Sequence, residues 1–486
     1  MAGRELAKQR SVSDEGGTIF APSTAAGRAG VAVVRVSGSQ AASVLQAMTD
    51  RELPVPRHAT LVGLRDPRDG GAIDRALVLW FPAPRSFTGE DMIELHLHGG
   101  RAVSAAVTDA LASMEGVRLA QPGEFTRRAF DNGKLDLTEV EGLADLIAAE
   151  TEAQRRQALR QMEGALSRRV EDWRQRLIQI LALVEAEIDF PDEDLPGGLV
   201  DAARREIEDL IREIKEIVAG ARRGERLREG LQIAILGPPN VGKSSLLNAL
   251  ARRDVAIVSA SAGTTRDVIE LHMDLDGYPV TLADTAGLRQ VETDAADVAG
   301  ADIEVEGMRR ARVRAADADL RLAVLDVETW CEPAPELIDL LEHAAILVIN
   351  KVDLPDGQAV RAVFRGGPGC DLAVVPAAVR AAIQEGRAFC VSARTGEGIG
   401  DLLRALSVAA AEAMETTAGG AGLTRARHRQ ALEGCLGALE QSLVAGDVEL
   451  AAEDLRLATR SLGQVTGRVD VEDVLDVLFG EFCIGK

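Results

Sequence analysis

A glycine-rich segment near the middle of the chain has the residue types and spacing of a phosphate-binding loop. It reads Gly237-Pro-Pro-Asn-Val-Gly-Lys243-Ser244, matches G-x-x-x-x-G-K-[ST], and directly follows a run of apolar residues typical of a buried strand. The glycines let backbone N–H groups approach phosphate oxygens, and a following helix adds the positive end of its dipole. Lys243 would contact the β- and γ-phosphates, and the Ser244 hydroxyl would bind Mg²⁺. The segment therefore predicts a nucleoside triphosphate site.

Two later motifs carry the residue types needed to recognise guanine. They are Asn350-Lys351-Val-Asp353 and, after it, Ser392-Ala-Arg394. The Asp353 carboxylate can accept hydrogen bonds from two N–H donors on the guanine edge, while Asn350 and Lys351 brace the base. Adenine lacks that pair of donors, so the predicted nucleotide is GTP.

Between these motifs lie two segments positioned as the switches of a GTPase. Thr265, within the segment Gly263–Asp267, is the natural second Mg²⁺ ligand. In Asp284-Thr-Ala-Gly287, Asp284 would hold Mg²⁺ through water and the Gly287 amide would sense the γ-phosphate. The next residue is Leu288, where Ras-like enzymes carry the glutamine that orients the attacking water. Because leucine cannot do this, hydrolysis requires another water-positioning group and another source of positive charge.

The composition is that of a water-soluble globular chain with several domains. The chain has 486 residues, of which 46% are hydrophobic and 27% charged, so two to four domains are expected. No apolar run approaches the length needed to cross a bilayer. Residues 1–17 lack the apolar core of a secretory signal, and we expect a disordered leader there. The five cysteines are widely spaced and without a C-x-x-C pair, which predicts reduced thiols and a cytoplasmic location.

The charge distribution limits how the chain could bind a nucleic acid. A net charge of −22 argues against wholesale electrostatic binding to a polyanion, so any such contact must be local. Three arginine clusters are candidates, although each is more simply the solvated face of a helix. They are Arg155, Arg156 and Arg160; Arg309, Arg310, Arg312 and Arg314; and Arg425, Arg427 and Arg429.

Lysine is rare among the 55 basic residues, which makes each lysine a candidate for a place that needs a compact ammonium group. The six lysines are Lys8, Lys134, Lys215, Lys243, Lys351 and Lys486.

The elements that would position these residues change character along the chain. Up to about Leu135, short strand-like runs alternate with helical stretches and turns. Helical periodicity begins near Thr138, where Thr138 and Glu141 match a capping box, and a further helix is expected from about Asp201 to Arg228. Strands then alternate with helices, which predicts a parallel α/β sheet. The expected strands are Leu231–Leu236, Val280–Ala283, Leu320–Leu325, Ala345–Ile349 and Phe389–Ser392. Helical periodicity resumes after a flexible segment, residues 416–422, which predicts that the α/β unit is inserted into a helical domain.

The sequence resembles the MnmE (TrmE) family of tRNA modification GTPases over nearly its whole length. The N-terminal matches share short polar and glycine-containing motifs. They are Gly27-Arg-Ala-Gly30, Val34-Arg35-Val-Ser-Gly38, Ser86-Phe-Thr-Gly-Glu-Asp-Met-Ile-Glu-Leu95, His98-Gly-Gly100, Gln121-Pro-Gly-Glu-Phe-Thr126 and Asn132-Gly-Lys-Leu-Asp-Leu137. The chain stops on Cys483-Ile-Gly-Lys486, a family signature. One departure is Ala25-Ala-Gly-Arg-Ala-Gly30, where the family usually has Pro-Pro-Gly-Arg-Gly-Gly.

The resemblance implies a fold of three parts. An N-terminal α+β domain for tetrahydrofolate binding and dimerisation would occupy residues 18–135. An all-α helical domain would comprise residues 136–229 and 413–486, with a Ras-like parallel-sheet G domain inserted at 230–412. The folate pocket, for 5-formyl- or methylene-tetrahydrofolate, would be shared across a homodimer and contain Arg35, Glu94, Lys134 and Lys486. Glu94 could bind the donor edge of a pterin, and arginine or lysine could pair with glutamate-tail carboxylates.

In the G domain the resemblance implies that K⁺ supplies the missing charge. Its ligands would be Asn240, Ser259, Ser261 and Thr264. The water-positioning glutamate would be Glu304, with Glu306 as the alternative because the second switch is long. Lys243 and Thr265 complete the expected catalytic set. The residues expected to bind GTP are Asn240, Val241, Gly242, Lys243, Ser244, Ser245, Ser259, Thr264, Asp284, Thr285, Ala286, Gly287, Asn350, Lys351, Asp353, Ser392, Ala393 and Arg394.

The implied reaction couples GTP hydrolysis to modification of a tRNA wobble uridine. A flavoprotein partner (MnmG, or GidA), carrying FAD and using NADH, would join the chain in a heterotetramer or larger complex. Together they would add a carboxymethylaminomethyl or aminomethyl group, with the one-carbon unit from the folate. Two alternatives remain open: a switch GTPase for ribosome assembly or signalling, and a folate enzyme whose G domain only regulates it.

Overall fold

The computed structural model describes most of the chain. The described residues are 17–25, 27–189, 199–253, 255–257, 270–284, 318–331, 333, 346–364, 375–415, 422–469, 472–482 and 485, with backbone alone at 199–201, 284, 472, 473, 476 and 481. The chain divides into two compact units. The first comprises residues 1–144, 161–207 and 437–486, and the second comprises 145–160 and 208–436.

The first unit contains a six-stranded sheet, called here the N-terminal sheet. Its strands are β1 (Thr18–Pro22), β2 (Val31–Ser37), β3 (Thr60–Arg65), β4 (Ala72–Phe81), β5 (Met92–His98) and β6 (Val117–Leu119). The strand order is β3-β4-β5-β2-β1-β6, and only the β1–β6 pair is parallel. This mainly antiparallel sheet confirms the α+β prediction for this part of the chain.

One face of the N-terminal sheet is buried against helices, and along β5 the other face carries polar side chains. Along β5, Ile93, Leu95 and Leu97 are buried, whereas Glu94 and His96 point to the opposite face because side chains alternate along a strand. The helices α1 (Ala41–Thr49) and α2 (Arg101–Ala112) supply apolar residues to the buried core. The polar face is therefore the one on which a ligand could meet Glu94.

The remaining helices up to the second sheet are short or amphipathic. They are α3 (Glu124–Asp131), α4 (Leu137–Ala148), α5 (Glu152–Met162), α6 (Ala165–Asp189), α7 (Leu199–Ala219) and α8 (Ala221–Glu229). The sequence predicts one helix from Asp201 to Arg228, but the structure has two, which meet at Gly220.

The capping box expected at Thr138 and Glu141 is wrong by two residues. The Glu139 amide donates to Asp136 Oδ1 at 3.0 Å, and the Asp136 amide donates to Glu139 Oε2 at 2.9 Å. Both Thr138/Glu141 and Asp136/Glu139 have the spacing of a capping box. Thr138 and Glu141 are buried within α4, so the more exposed pair, Asp136 and Glu139, caps the helix.

A helix pair follows the predicted 3.6-residue period. The C-terminal helices are α13 (Ala426–Val444), α14 (Val448–Thr466) and α15 (Glu472–Glu481), and α14 packs along α6. Val170, Trp173 and Leu177 of α6 are fully buried at the spacing of one helix face. The helical prediction is therefore confirmed for these segments. Within the described residues, no helix is both long enough and apolar enough to span a membrane.

The second unit contains another six-stranded sheet, called here the nucleotide sheet. Its strands are β7 (Leu231–Leu236), β8 (Glu270–Leu275), β9 (Tyr278–Asp284), β10 (Leu320–Asp326), β11 (Ile346–Asn350) and β12 (Ala388–Cys390), in the order β12-β11-β10-β7-β9-β8. All neighbours are parallel except β8 and β9. The five predicted strands are present within two residues at each end. The edge strand β8 was not predicted.

Helices cover both faces of the nucleotide sheet. They are α9 (Lys243–Ala251), α10 (Gly357–Phe364), α11 (Ala377–Gln384) and α12 (Ile399–Met414). One apolar core packs α9 and α12 against the sheet, and a second packs α10 and α11 against β10 and β11. The strand order reverses at β7, whose neighbours are β9 and β10, and such a reversal opens a crevice at the carboxyl ends of the strands.

Candidate functional site

The phosphate-loop candidate joins the carboxyl end of β7 to the start of α9. Gly237 and Gly242 have φ values of 152° and 93°, which disfavour residues with a side chain. A Cβ atom on Gly237 would lie 2.2 Å from the Val324 carbonyl oxygen, and one on Gly242 would lie 2.3 Å from Asn350 Nδ2. The two glycines are therefore required both by the turn and by close neighbours in β10 and β11.

Lys243 lies at the first position of α9 and is almost fully buried. Its Nζ donates to the carbonyl oxygens of Gly237 and Pro238, at 2.8 and 2.7 Å. The ammonium group is thus held over the loop that precedes it. Ser244 and Ser245 follow as exposed residues of the first helical turn, where the helix dipole favours an anion.

Asn350 connects the three motifs at the carboxyl edge of the sheet. Its Nδ2 donates to the Val241 carbonyl at 2.8 Å, and its Oδ1 accepts from the Ala393 amide at 3.1 Å. The side chain is buried, so both of its polar ends are satisfied by neighbouring loops. The phosphate-loop candidate and the guanine-recognition motifs are consequently parts of one site.

The Asp353 carboxylate lies between two side chains of the last motif. Its Oδ1 accepts from Ser392 Oγ at 2.6 Å, and its Oδ2 lies 2.6 Å from an Arg394 guanidinium nitrogen. The Ser392 hydrogen bond, together with the positive charge of Arg394, holds the pKa of Asp353 below its usual value. At neutral pH this residue is therefore an ionised hydrogen-bond acceptor.

Asp326, at the end of β10, was not singled out from the sequence. Its Oδ2 lies 2.7 Å from Lys351 Nζ, while its Oδ1 accepts from the Thr329 hydroxyl at 2.8 Å. Burial opposes its ionisation, but the Lys351 and Thr329 hydrogen bonds outweigh burial and lower the pKa of Asp326. Lys351 has a φ of 63°, unusual for a residue with a side chain. Asp326 therefore fixes the side chain of Lys351, whose backbone conformation is also constrained.

Several predicted site residues lie outside the described residues. They are Ser259, Ser261, Thr264, Thr265, Thr285, Ala286, Gly287, Leu288, Glu304, Glu306 and Lys486. Asp284 is described by its backbone alone, at the end of β9 and opposite Ile235 of β7. Asn240 is exposed and has a φ of 65°. The K⁺ set and the water-positioning residue stay predictions.

Arg35 and Glu94 are direct cross-strand neighbours on the polar face of the N-terminal sheet. The Arg35 Nε donates to Glu94 Oε1 at 2.9 Å, and Glu94 Oε2 lies 3.3 Å from His96 Nε2. Only 16% of the Glu94 side chain is exposed, against 27% for Arg35. Two residues that are 59 positions apart are thus brought together by strand register.

Glu94 and Lys134 line the same cavity, which has a volume of about 490 Å³. Phe81, Phe87 and the buried Met92 form apolar parts of its wall. Lys134 Nζ donates to the Pro84 carbonyl at 3.1 Å. An apolar cavity with a few convergent polar groups, within the usual size of about 300–1,000 Å³, is suited to a small ligand.

The penultimate residue of the chain lies beside this sheet. Ser23 Oγ donates to the Gly485 carbonyl at 3.0 Å, and Gly485 has a φ of 100°. A Cβ atom there would lie 2.2 Å from the Pro22 carbonyl oxygen, so Gly485 fits closely against the end of β1. Because Ala21 of β1 pairs with Arg35, the neighbour of Lys486 is held near a predicted folate residue.

The arginine clusters proposed for nucleic-acid contact are largely ion-paired where described. Arg155 and Arg156 both pair with Glu152, Arg425 pairs with Asp145, and Arg429 pairs with Glu225. These pairs favour the interpretation of solvated helix faces. The cluster at 309–314 lies outside the described residues.

Protein side chains suited to a transition-metal site are not grouped in the described part of the chain. Among those residues, no three His, Cys, Asp or Glu side chains are placed to hold a metal ion. Cys390 and Cys435 are free thiols, and burial raises the pKa of each to about 12. Such thiols are unreactive at neutral pH.

The order of the nucleotide sheet and the motifs at its carboxyl edge define a P-loop protein of the Ras-like GTPase class. The family model described as "MnmE helical domain" matches residues 137–483, and that described as "GTP-binding protein TrmE N-terminus" matches residues 18–134. The chain therefore belongs to the MnmE family.

Similar proteins cover almost the full length. A protein of Parvibaculum lavamentivorans named tRNA modification GTPase MnmE is 54% identical, over 96% of this chain and 100% of its own length. A protein of Paramagnetospirillum magneticum with the same name is 51% identical, over 96% of this chain and 99% of its own. Among solved structures, the G domain of the T. maritima FeoB iron transporter is 25% identical, covering 37% of this chain and 98% of that one, with a TM-score of 0.23.

Proposed function

We propose that this chain is a K⁺-activated GTPase, hydrolysing GTP to GDP and phosphate, that acts in modification of the tRNA wobble uridine. The GTPase part of this proposal is supported by the hydrogen bonds of the Asn350 side chain, which connect the phosphate-loop candidate to the motif containing Ser392. The ionised Asp353 beside it supplies the acceptor that guanine requires. The tRNA part rests on membership of a family whose relatives are named tRNA modification GTPases.

The residues at the phosphate loop fit a nucleotide with its Mg²⁺. The Lys243 ammonium group would exchange its two hydrogen bonds to loop carbonyls for bonds to phosphate oxygens. Ser244 is exposed at the helix N-terminus, as a Mg²⁺ ligand should be. Mg²⁺ would neutralise the charge on the phosphates. Asp284 and Thr265 are the further proposed Mg²⁺ residues, and Asp284 ends a strand directly beside the loop strand.

The exposed Asn240 fits a ligand of K⁺, because its φ of 65° holds it in a loop conformation and its side-chain oxygen is a hard donor. Ser259, Ser261 and Thr264 complete the proposed set. K⁺ would supply positive charge where other GTPases use an arginine. Glu304 is the proposed water-positioning residue, and Glu306 is the alternative.

The N-terminal sheet fits a folate ligand. Glu94 and Lys134 line one cavity, Arg35 contacts Glu94, and the residue before Lys486 is anchored at β1. The carboxylate could accept from a pterin edge, and the cations could bind tail carboxylates. The folate, in 5-formyl or methylene form, would supply the one-carbon unit.

The proposed assembly is a cytoplasmic homodimer that binds tRNA and a flavoprotein partner of the MnmG (GidA) type with FAD and NADH. We assign the folate and dimerisation domain to residues 18–135, the helical domain to 136–229 and 413–486, and the G domain to 230–412. The family matches at 18–134 and 137–483 support the first boundary.

A comparison of GTP turnover in K⁺ and in Na⁺ tests the hydrolytic mechanism. Turnover at saturating GTP should be at least about tenfold faster in K⁺, because a bound cation stabilises transition-state charge. Asn240→Ala should lower the rate in K⁺ to the rate in Na⁺, whereas the matched change Asn248→Ala, on an exposed position of α9, should not. Equal turnover rates in the two salts would contradict the proposal that K⁺ activates GTP hydrolysis.

Mass spectrometry of tRNA nucleosides tests the biological role. A strain lacking this gene should lose the carboxymethylaminomethyl and aminomethyl groups at the wobble uridine, and the wild-type gene should restore them. Intact modification would favour a switch GTPase. Modification by the purified chain without a flavoprotein would favour a folate enzyme with a regulatory G domain.

A further inference from the structure

Three cationic residues line the cavity that contains Glu94. Lys134 Nζ donates to the Pro84 carbonyl at 3.1 Å, and an Arg57 guanidinium nitrogen donates to the next carbonyl, that of Arg85. Arg57, Arg85 and Lys134 all line the cavity, and all three are exposed. Two of the cations are thus bonded to consecutive backbone carbonyls, and the second of these carbonyls belongs to the third cationic residue, Arg85.

Arg57 is held in place by its surroundings. Its backbone has a φ of 62°, and its amide donates to the Trp80 carbonyl at 2.8 Å. Its guanidinium carbon lies 5.7 Å from the centre of the Phe81 ring, within the range of a cation–π contact. A guanidinium has five N–H donors, so these contacts leave donors available for a carboxylate.

The described residues that line the cavity carry a net positive charge. Among its described lining residues, Glu94 carries the negative charge and is already bonded to Arg35 and His96, whereas Arg57, Arg85 and Lys134 are positive. A local positive group is notable in a chain of net charge −22. Such a cavity fits a ligand with N–H donors at one end and several carboxylates at the other.

We propose that Arg57 and Arg85 form, with Lys134, a subsite for the γ-linked polyglutamate tail of the folate. The inference rests on the proposed folate binding and extends it from the first glutamate of the ligand to the glutamates linked beyond it. A monoglutamate ends in two carboxylates, and each added γ-glutamyl residue contributes one more. Because the three cations are exposed, a longer tail can reach the second and third of them without burial of its own charge.

Direct binding measurements on the full chain test this subsite. We expect 5-formyl-tetrahydrofolate pentaglutamate to bind about tenfold more tightly than the monoglutamate, through charge-assisted bonds that added salt weakens. The double variant R57A/R85A should lose this advantage and keep monoglutamate affinity within about twofold, because Arg35, Glu94 and Lys134 are untouched. The variant R57E should bind pentaglutamate less tightly than it binds the monoglutamate.

Arg68→Ala is the matched control. Arg68 is exposed, pairs with Asp66 between β3 and β4, and does not line the cavity, so its removal should leave both affinities unchanged. A thermal unfolding curve equal to that of the wild type would show that the double variant is folded.

The outcomes separate the two proposals. Failure of both folates to bind the wild type would overturn the folate part of the proposed function. Binding of the monoglutamate with no gain from the longer tail, or a gain that R57A/R85A retains, would overturn the subsite alone.

Discussion

The two six-stranded sheets place their candidate ligand groups in different ways. In the nucleotide sheet the groups lie at strand ends, as Asn350 and Asp326 do, and the neighbouring parallel strands bring these ends to one edge. In the N-terminal sheet the groups project from the middle of strands, as Arg35 and Glu94 do, and antiparallel register pairs them across a face. The first site is built mainly from loops, and the second from strand pairing.

This difference predicts how each site responds to mutation. A side chain on a loop at the sheet edge can be removed with little effect on the strands, so its loss should affect the ligand and not the fold. A side chain on the sheet face also contacts a cross-strand neighbour, so its loss should affect both.

Lys243→Ala should have the largest effect and is the severest test of the edge site. The variant loses the ammonium group that the loop carbonyls hold, and GTP turnover should fall by at least about 100-fold, as when a transition-state charge donor is removed. Turnover and thermal unfolding should be measured together. The unfolding temperature should stay near that of the wild type, and Lys215→Ala, on an exposed position of α7, should change neither. A variant that loses stability together with activity would contradict the claim that residues at the sheet edge affect the ligand and not the fold.

Asp353→Asn should change the base that the edge site prefers. An amide replaces one carboxylate oxygen by an N–H donor, which suits the C2 carbonyl of xanthine and not the amino group of guanine. We expect GTP affinity to fall by about 100-fold and affinity for xanthosine triphosphate to rise, because a buried mismatch leaves polar groups unpaired. Asp356→Asn, three residues later and exposed, is the control. Unchanged GTP binding would remove Asp353 from the guanine site.

The same difference explains how much could be predicted from the sequence. The phosphate loop could be predicted because a backbone that surrounds phosphates requires Gly237, Gly242 and Lys243 at fixed spacing. The structure shows why the glycines are needed. Arg35 and Glu94 could not be paired by composition or spacing, since only the β2–β5 register brings them together; the family resemblance supplied them.

Asp326 is a residue at the carboxyl edge of the nucleotide sheet that sequence motifs did not predict. An aspartate after an apolar strand is also an ordinary turn residue, and Asp326 does bind the Thr329 hydroxyl of the next turn. Its contact with Lys351 depends on β10 and β11 being neighbours, which the sequence pattern does not specify. The strand end beside Asn350 was the signal that could have revealed it.

Glu94→Gln should weaken folate binding by about tenfold, because the ligand loses an ionised acceptor for its donor edge. The side chain keeps its size, so the cavity should keep its shape. Binding of 5-formyl-tetrahydrofolate measures the effect, with Glu115→Gln, an exposed residue before β6, as the control. An unchanged affinity would separate Glu94 from the ligand and leave it a structural partner of Arg35.

Asp326→Asn should act on GTP affinity through Lys351. The amide keeps an oxygen for Thr329 but lacks the charge that holds the lysine, so we expect KM for GTP to rise about fivefold with kcat unchanged, as for a charged hydrogen bond lost outside the reacting atoms. Glu328→Gln, exposed two residues later, is the control. An equal fall in kcat would place Asp326 in the chemical step instead.

The smallest effect should distinguish the two sites most directly. A double-mutant cycle with Arg35→Gln and Glu94→Gln, read by hydrogen exchange of the β2 and β5 amides, should give a coupling of up to about 1 kcal/mol, typical of a partly exposed ion pair. Local exchange is preferred because a chain of two units need not unfold in one step. The equivalent cycle with Asp326→Asn and Lys351→Gln should leave the exchange of β10 and β11 amides nearly unchanged, since Asp326 is the last residue of its strand and Lys351 follows the end of its own. Equal coupling in the two sheets would mean that the edge residues also stabilise their strands, and the distinction between a loop-built and a strand-built site would fail.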